Sequence, residues 1–248
     1  MKKIITTTIA TGLVAGVASA GVSTTFDFAS AYVFRGTTLN EGAVFQPGIE
    51  ASGYGLPEEY GSVTFGAWAN WDLDDNDGAA STSEFSETDW YVSYSLPAFV
   101  DGLDLFIGYC DYSYGGTSDK EFNVGAGYEI AGVGLGLTGY FMSGGAYSGQ
   151  NYYEFTAGYG IDITDELSGS VDASVGYILQ SDKPASAGLD DGLNDASIGA
   201  SLGYALGETW SVGASLTYIT NFDDDVLPDA TGAYDVSVVG MLSLAAEM

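Results

Sequence analysis

The chain contains no histidine, and this absence excludes several kinds of active site. A Ser-His-Asp hydrolase, a His-ligated zinc site and a His-based acid/base pair each need an imidazole. The single cysteine, Cys110, has no partner for an internal disulfide, so we expect it to pack as a small side chain in a strand. We therefore expect no enzyme activity, no cofactor and no bound metal ion.

Basic residues are also scarce, with 5 Lys and Arg against 34 Asp and Glu and a formal net charge of −29. Two of the five are Lys2 and Lys3, which leaves only Arg35, Lys120 and Lys183 in the rest of the chain. Such a charge repels nucleic acid and attracts cations. Two interpretations stay open: solubility in a salty exterior, or a preference for cations as solutes.

Long apolar runs are missing after residue 20, so we expect no helix that crosses a bilayer, which needs about 20 apolar residues. The first twenty residues have the form of a secretion signal: Lys2 and Lys3, then a mostly apolar stretch over 4–17, then Ala18-Ser19-Ala20. The sequence therefore predicts a signal peptide at 1–20, export across the inner membrane, and one domain over 21–248.

What the rest of the chain does contain is a regular alternation of apolar and polar residues in runs of about ten. This alternation is typical of a transmembrane β-barrel, in which lipid-facing and lumen-facing side chains take turns along each strand. The predicted fold class is all-β, an antiparallel up-and-down barrel of about 12 strands in the bacterial outer membrane. In the first run, Phe26, Phe28, Tyr32 and Phe34 are predicted to face lipid, and Asp27, Ala29, Ala31 and Arg35 to face the lumen.

The connections between the runs support this fold, because tight links alternate with long polar ones. The tight links are 131–133, 164–166 and 207–209, and the long ones include 73–86, 181–194 and 222–232. Bacterial barrels have short periplasmic turns and long outer loops. The predicted strands are 22–35, 43–53, 61–72, 87–96, 103–112, 120–130, 134–143, 151–161, 168–179, 195–206, 210–221 and 233–245.

Two stretches of the first half resemble a known family. The segment Ala31-Tyr32-Val33-Phe34-Arg35-Gly36, followed by Gly42, Gln46-Pro47-Gly48 and Trp68, is similar to the opening of the TorF family of porins. The stretch Glu87-Thr88-Asp89-Trp90-Tyr91 and the later Asp104-Leu105-Phe106-Ile107-Gly108-Tyr109 resemble that family's acidic strand and the Gly-Tyr strand after it. The resemblance implies a porin-like outer-membrane barrel and says little about its substrate.

Charged residues on the predicted inner face are the candidate site. Rings of carboxylates favour cations electrostatically, and few bases oppose them here. The alternative is a lumen filled with hydrogen-bonded side chains that conducts nothing, since a barrel of about eight strands is filled and one of about sixteen is open. The predicted lumen-lining residues are Asp27, Arg35, Glu50, Asp89, Asp104, Glu154, Asp172 and Asp235.

Arg35 is the only arginine of the chain, and two roles are open for it. It can set the field at a constriction or hold an anionic group of a solute. It can instead be a structural counter-ion of Asp27 or Glu50, because an ionised group inside a barrel must be paired or hydrated. We favour the structural role.

The acidic run 72–78 is not a calcium loop of the EF-hand type. Counted from Asp72, the sixth position is Asp77 and the twelfth is Ser83, where that loop needs Gly and Glu. We interpret it as a solvated acidic loop, with weak cation binding as the lesser alternative, and treat Asp223-Asp224-Asp225 in the same way.

Taken together, these patterns predict a passive channel for cations or small neutral solutes, with outer-membrane lipid around it. A closed barrel that presents acidic loops for adhesion is the runner-up. A secreted β-sandwich explains the alternation less well, because the apolar face is larger than one core needs. The sequence leaves open whether the barrel is a monomer or a homo-oligomer.

Overall fold

Twelve antiparallel strands close into a barrel in the computed structural model, as the alternation predicts. The structure describes residues 21–54, 56–73, 85–97, 99–229 and 233–248. The predicted signal peptide at 1–20 and most of the acidic run after Asp72 lie outside the described residues. The first strand closes the barrel, because it pairs with the next barrel strand on one side and with the last strand of the chain on the other.

The strands alternate in direction around the barrel, and two extra short strands form a separate hairpin. The hairpin consists of β2 and β3. Two short 3-10 helices, Glu58–Tyr60 and Pro184–Ser186, lie between strands, and no helix in the described segments has the length and hydropathy to cross a membrane. The strands are β1 (Gly21–Ala29), β2 (Tyr32–Phe34), β3 (Thr37–Asn40), β4 (Val44–Ser52), β5 (Ser62–Asp72), β6 (Phe85–Ser95), β7 (Leu103–Tyr114), β8 (Thr117–Ile130), β9 (Val133–Gly144), β10 (Asn151–Asp162), β11 (Leu167–Leu179), β12 (Gly192–Leu206), β13 (Trp210–Asn221) and β14 (Val238–Glu247).

Two predicted strands are shorter than their sequence pattern suggests. The first was expected over 22–35 but ends at Ala29, and the last was expected from 233 but begins at Val238. The backbone amide of Ser30 donates to the carbonyl of Gly240 at 2.9 Å, and beyond this bond the chain leaves the barrel wall. The alternation continues past Ala29 because β2 and β3 are themselves strands, so the pattern alone does not show the break.

Tyr32 and Phe34, predicted to face lipid, therefore lie inside the barrel. Tyr32 is buried against Trp68, an inner residue of β5, with ring centroids 5.3 Å apart. Phe34 packs on Tyr112 of β7 with ring centroids 5.8 Å apart. The prediction is wrong for these two aromatic residues because β2 does not continue the wall that β1 forms.

The outer face of the barrel is apolar, and the inner face is polar. Outer residues in the middle of the strands are 49% to 64% exposed, although they are large and apolar. An apolar belt of this extent is unfavourable in water and suits the hydrocarbon of a bilayer. Examples of these outer residues are Phe65, Trp90, Leu137, Phe155, Ile198 and Leu242.

The two ends of the barrel differ in their connections. Both described termini lie at one end, where the amide of Val22 donates to the carbonyl of Met248 at 2.9 Å. At this end β8 and β9 are joined by Ala131-Gly132, with φ of 54° and 80° as in a type I′ turn. The other end carries the longer connections 30–43, 180–191 and 222–237, although β7 and β8 meet there in a two-residue turn, Gly115-Gly116.

Large inner side chains fill the part of the lumen that faces β5 to β8. The ring of Tyr91 on β6 lies directly over Gly66 of β5, and the ring of Phe106 on β7 lies over Gly125 of β8. A Cβ atom at either glycine would overlap the ring, so each glycine is needed for the close approach. The lumen is therefore asymmetric, with bulky aromatic residues along one wall.

Phe155→Arg should destabilise the protein more than an arginine placed on the inner face. Phe155 is 49% exposed on the outer face of β10, and a charged side chain near the bilayer midplane costs about 2–4 kcal/mol. We expect this loss of unfolding free energy in urea titrations of protein refolded into lipid vesicles. Gly160→Arg on the inner face of the same strand is the control, because a side chain there meets open space. Equal losses for both variants would contradict the assignment of faces.

Candidate functional site

The β2–β3 hairpin turns inward and crosses the lumen. Its turn consists of Arg35 and Gly36, with φ of 50° and 76°, which is the geometry of a type I′ turn. Positive φ is uncommon for a residue other than glycine and carries a cost in strain. Contacts of the Arg35 side chain and backbone offset this cost and hold the turn in the middle of the barrel.

An ion pair attaches the hairpin turn to the opposite wall. The Arg35 guanidinium donates to both carboxylate oxygens of Glu121 on β8, at 2.7 and 3.0 Å. The Glu121 side chain is completely buried and that of Arg35 is 12% exposed. Tyr112 on β7 donates its hydroxyl to Glu121 at 2.9 Å. This two-pronged geometry is the strongest form of a charge-assisted hydrogen bond in proteins.

Three aromatic rings surround the same guanidinium. Its central carbon lies 4.7 Å from the ring centroid of Phe34, 4.2 Å from that of Tyr140 and 4.7 Å from that of Tyr152. A cation over an aromatic face is attracted by the ring's electron density, and more so where water is excluded. The rings and the Glu121 carboxylate together occupy most of the surface of the Arg35 head group.

Backbone contacts hold the hairpin from the other side. Asn194 on β12 donates its side-chain amide to the Arg35 carbonyl at 2.8 Å. The amide of Thr38 donates to the Ala233 carbonyl at 2.8 Å, and the Thr38 hydroxyl accepts from the amide of Val236 at 3.0 Å. Residues 233–237, the described end of the last long connection, are therefore bound to the hairpin and help to keep it inside the barrel.

Between the hairpin and β4 to β7 the lumen is filled by polar side chains. Asn70 on β5 accepts from Gln46 on β4 at 2.9 Å and donates to Asn40 of the hairpin at 2.9 Å. Glu87 and Asp89 on β6 lie beside Tyr32 and are only 9% and 7% exposed. These buried side chains lie between the hairpin and β4 to β7, and we call this the packed side.

The opposite side of the hairpin keeps a cavity of about 70 Å³, enough for several water molecules. The hairpin encloses it together with hydroxyls of β11, β12 and β13, carboxylates of β10 and β12, and apolar side chains of β1, β13 and β14. In the described segments, no group of three or more acidic or thiol side chains is placed to hold a metal ion. Its lining residues include Arg35, Glu154, Ser174, Asp195, Ser197, Ser215 and Thr217.

The predicted site residues are distributed along the whole length of the lumen. Asp27, Glu50, Asp89, Asp104, Glu154 and Asp172 lie on barrel strands, on the face opposite the apolar belt. Glu50 accepts from Tyr91 at 3.1 Å, and Asp172 accepts from Ser170 at 2.7 Å. Asp104 is exposed near the end that carries the termini. Of the eight predicted residues, the structure brings Arg35 and Glu154 together at the cavity.

Two of these predictions need correction. Asp235 is exposed in the connection before β14 and not on a barrel strand, because β14 begins only at Val238. Arg35 pairs with Glu121 and with neither Asp27 nor Glu50, because the hairpin carries it across the lumen instead of continuing the wall beside β4.

Several residues around the cavity were not selected from the sequence. Glu121 lies on the polar face of the predicted strand 120–130, so the alternation contained a signal for it. Asp195 accepts from the Tyr152 hydroxyl at 2.9 Å and from Asn194 at 2.9 Å. Asn194 and Asp195 are both buried although they are adjacent, since the β11–β12 pairing shifts register between Val175 and Tyr177. Alternation does not predict such an irregularity.

No family model and no curated protein matches the chain. The resemblance to the TorF family therefore stays a prediction.

Solved structures show a similar fold at very low sequence identity. An outer membrane channel from Pseudomonas putida F1 has a TM-score of 0.57 and 8% identity, covering 93% of this chain and 96% of its own. The NanC porin has a TM-score of 0.53 and 10% identity, with 91% and 98% covered. The KdgM porin has a TM-score of 0.50 and 8% identity, with 92% and 97% covered. At these identities the likeness establishes the barrel fold alone.

Glu121→Gln should release the hairpin from the lumen. Removing one partner of a buried ion pair costs about 3–5 kcal/mol, because the remaining charge stays buried without a counter-ion. Cleavage after Arg35 by an arginine-specific protease measures the release, since Arg35 is the only arginine and its turn is enclosed in the folded protein. We expect resistance in the unchanged protein and rapid cleavage in the variant.

Asp111→Asn is the matched control for this experiment. Asp111 lies 3.9 Å from Lys120 in a much more exposed pair, which contributes little to stability. Its removal should leave Arg35 protected. Unchanged protection in Glu121→Gln would show that the aromatic rings and Asn194 hold the turn without the ion pair.

Proposed function

We propose that the protein is a passive channel of the bacterial outer membrane that favours cations over anions, narrowed by the β2–β3 hairpin. The observation that carries the proposal is a closed barrel with an apolar outer belt and an acidic inner face. A barrel of this kind gives solutes a polar path through a bilayer without any chemical step. The hairpin sets the size limit because it spans the lumen.

The charge of the inner face supports a preference for cations. Carboxylates occur on the inner positions of most barrel strands from β1 to β12, whereas Arg35 is the only base inside the described part of the barrel. Lys120 lies on the outer face of β8 and Lys183 in the exposed connection 180–191. With so few bases opposing them, the carboxylates attract cations into the lumen and repel anions.

The location and partners follow from the same features. The predicted signal peptide at 1–20 sends the chain across the inner membrane, and the apolar belt takes outer-membrane lipid as its solvent. The long connections then lie outside and the short turns in the periplasm. Similarity to proteins described as porins and as an outer membrane channel supports this assignment, as does the resemblance to the TorF family.

Single-channel recording in a planar bilayer across a potassium chloride gradient tests the function. We expect discrete current steps with a reversal potential on the cation side, since the lumen carries an excess of carboxylates. A reversal potential on the anion side would refute the selectivity. Silence from protein shown to be folded and inserted would refute the channel and favour a non-conducting barrel with acidic adhesion loops.

Removing the hairpin should widen the channel. Ala29 and Val44 face each other in the β1–β4 ladder, so a two-residue Asn-Gly turn can replace residues 30–43 without altering the barrel register. We expect a conductance several-fold above that of the unchanged protein, measured in the same bilayers. The control is a variant in which the β8–β9 turn, Ala131-Gly132, becomes Asn-Gly, which leaves the lumen unchanged.

Equal conductance with and without the hairpin would show that another part of the lumen limits the current. The unchanged protein can also remain silent while the shortened variant conducts. That result would refute a passive channel for the intact protein and would show that the hairpin closes the barrel.

A further inference from the structure

The hairpin divides the lumen into two unequal sides, one filled by closely packed side chains and the other containing a cavity. On the packed side, Tyr32 lies on Trp68, and the buried Asn70 links Gln46 to Asn40. On the other side lies the cavity of about 70 Å³. A solute that passes the hairpin therefore moves along β10 to β13, past the cavity lining.

The cavity carries a net negative charge, although Arg35 is among its lining residues. Glu121 binds the Arg35 guanidinium at two points, and three rings lie close around it. This ion pair has no net charge. The surplus charge facing the cavity comes from Glu154 and Asp195, which have no basic partner within salt-bridge distance in the described chain.

We propose that Glu154 and Asp195 determine the charge selectivity of the passage, and that the solute they select is a small cation. This inference rests on the proposed channel function. Asp89, a carboxylate singled out from the sequence, takes no direct part, because it lies on the packed side and does not line the cavity.

Neutral oxygen atoms beside the two carboxylates suit the same solute. Ser174 and Ser197 hydrogen-bond to each other at 2.8 Å on the cavity wall, and Ser215 and Thr217 continue this wall on β13. Hydroxyl oxygens replace part of a cation's hydration shell, as carbonyl and carboxylate oxygens do in ion channels. The cavity has room for several water molecules, and therefore for a partly hydrated ion.

The path continues from the cavity toward the end that carries the termini. Between the cavity and that end, several inner positions of β9 and β10 are glycines, among them Gly134, Gly158 and Gly160. A Cβ atom at Gly160 would have no atom within 4 Å apart from those of its neighbours in the chain. Toward that end the wall of β9 and β10 therefore carries little side-chain bulk, and the level of Glu154 and Asp195 is the part of this path that the hairpin narrows.

Reversal potentials of charge-neutral variants in a potassium chloride gradient test the proposal. We expect Glu154→Gln to lower the potassium-to-chloride permeability ratio several-fold and the double variant with Asp195→Asn to lower it further, with unitary currents still present. Asp89→Asn is the matched control for a buried inner carboxylate, and Asp111→Asn for an outer one. Both controls should keep the ratio of the unchanged protein.

A second pair of variants tests whether charge at the cavity sets the selectivity, without removing any existing contact. Ser215 lines the cavity, and its side chain takes part in no hydrogen bond or ion pair described for the protein. Ser215→Asp should raise the cation preference and Ser215→Lys should lower it. These variants keep the test decisive if Asp195→Asn disturbs Tyr152 and Asn194 and prevents folding.

The outcomes separate the two proposals. A conducting, cation-selective protein whose permeability ratio is unchanged in Glu154→Gln and in both Ser215 variants would overturn the role of the cavity and leave the channel function intact. An equal loss of selectivity in Asp89→Asn would move the path to the packed side. An unchanged protein that is folded, inserted and silent would overturn the channel function, and this inference with it.

Discussion

Closure of the barrel is the constraint on which the other features depend. Because β1 pairs with both β4 and β14, no strand of the barrel wall keeps an open edge, and the backbone groups of the wall are satisfied within the wall itself. The side chains of each strand then have only two directions, outward or inward. The apolar belt and the acidic lumen are two consequences of the same pairing.

The β2–β3 hairpin lies across the lumen of the twelve-stranded barrel and occupies part of it. The Arg35–Glu121 ion pair joins this hairpin to β8, while Asn194 and the connection 222–237 hold it from the other side. The pair also removes the only inner positive charge of the described barrel from contact with solutes. One interaction therefore both narrows the lumen and leaves its carboxylates without opposing charge.

Prediction from the sequence succeeds where the physical signal is local. The strands β4 to β13 agree with the alternation within a few residues, because side chains in a strand repeat every two positions. Prediction fails at Tyr32 and Phe34, where a strand of the hairpin has the same periodicity as a strand of the wall. It also misses Asp195 as a site residue, because a register shift in the β11–β12 ladder makes two adjacent residues buried.

The sequence by itself determined the barrel, the two chemically different faces and the excess of negative charge, since these follow from residue type and from a period of two. Only the tertiary structure decided which charges meet. Arg35 and Glu121 are 86 residues apart, and no local pattern connects them. Their contact depends on an inward turn at Ser30 and on the curvature that brings β8 opposite the hairpin, and both are properties of the closed barrel as a whole.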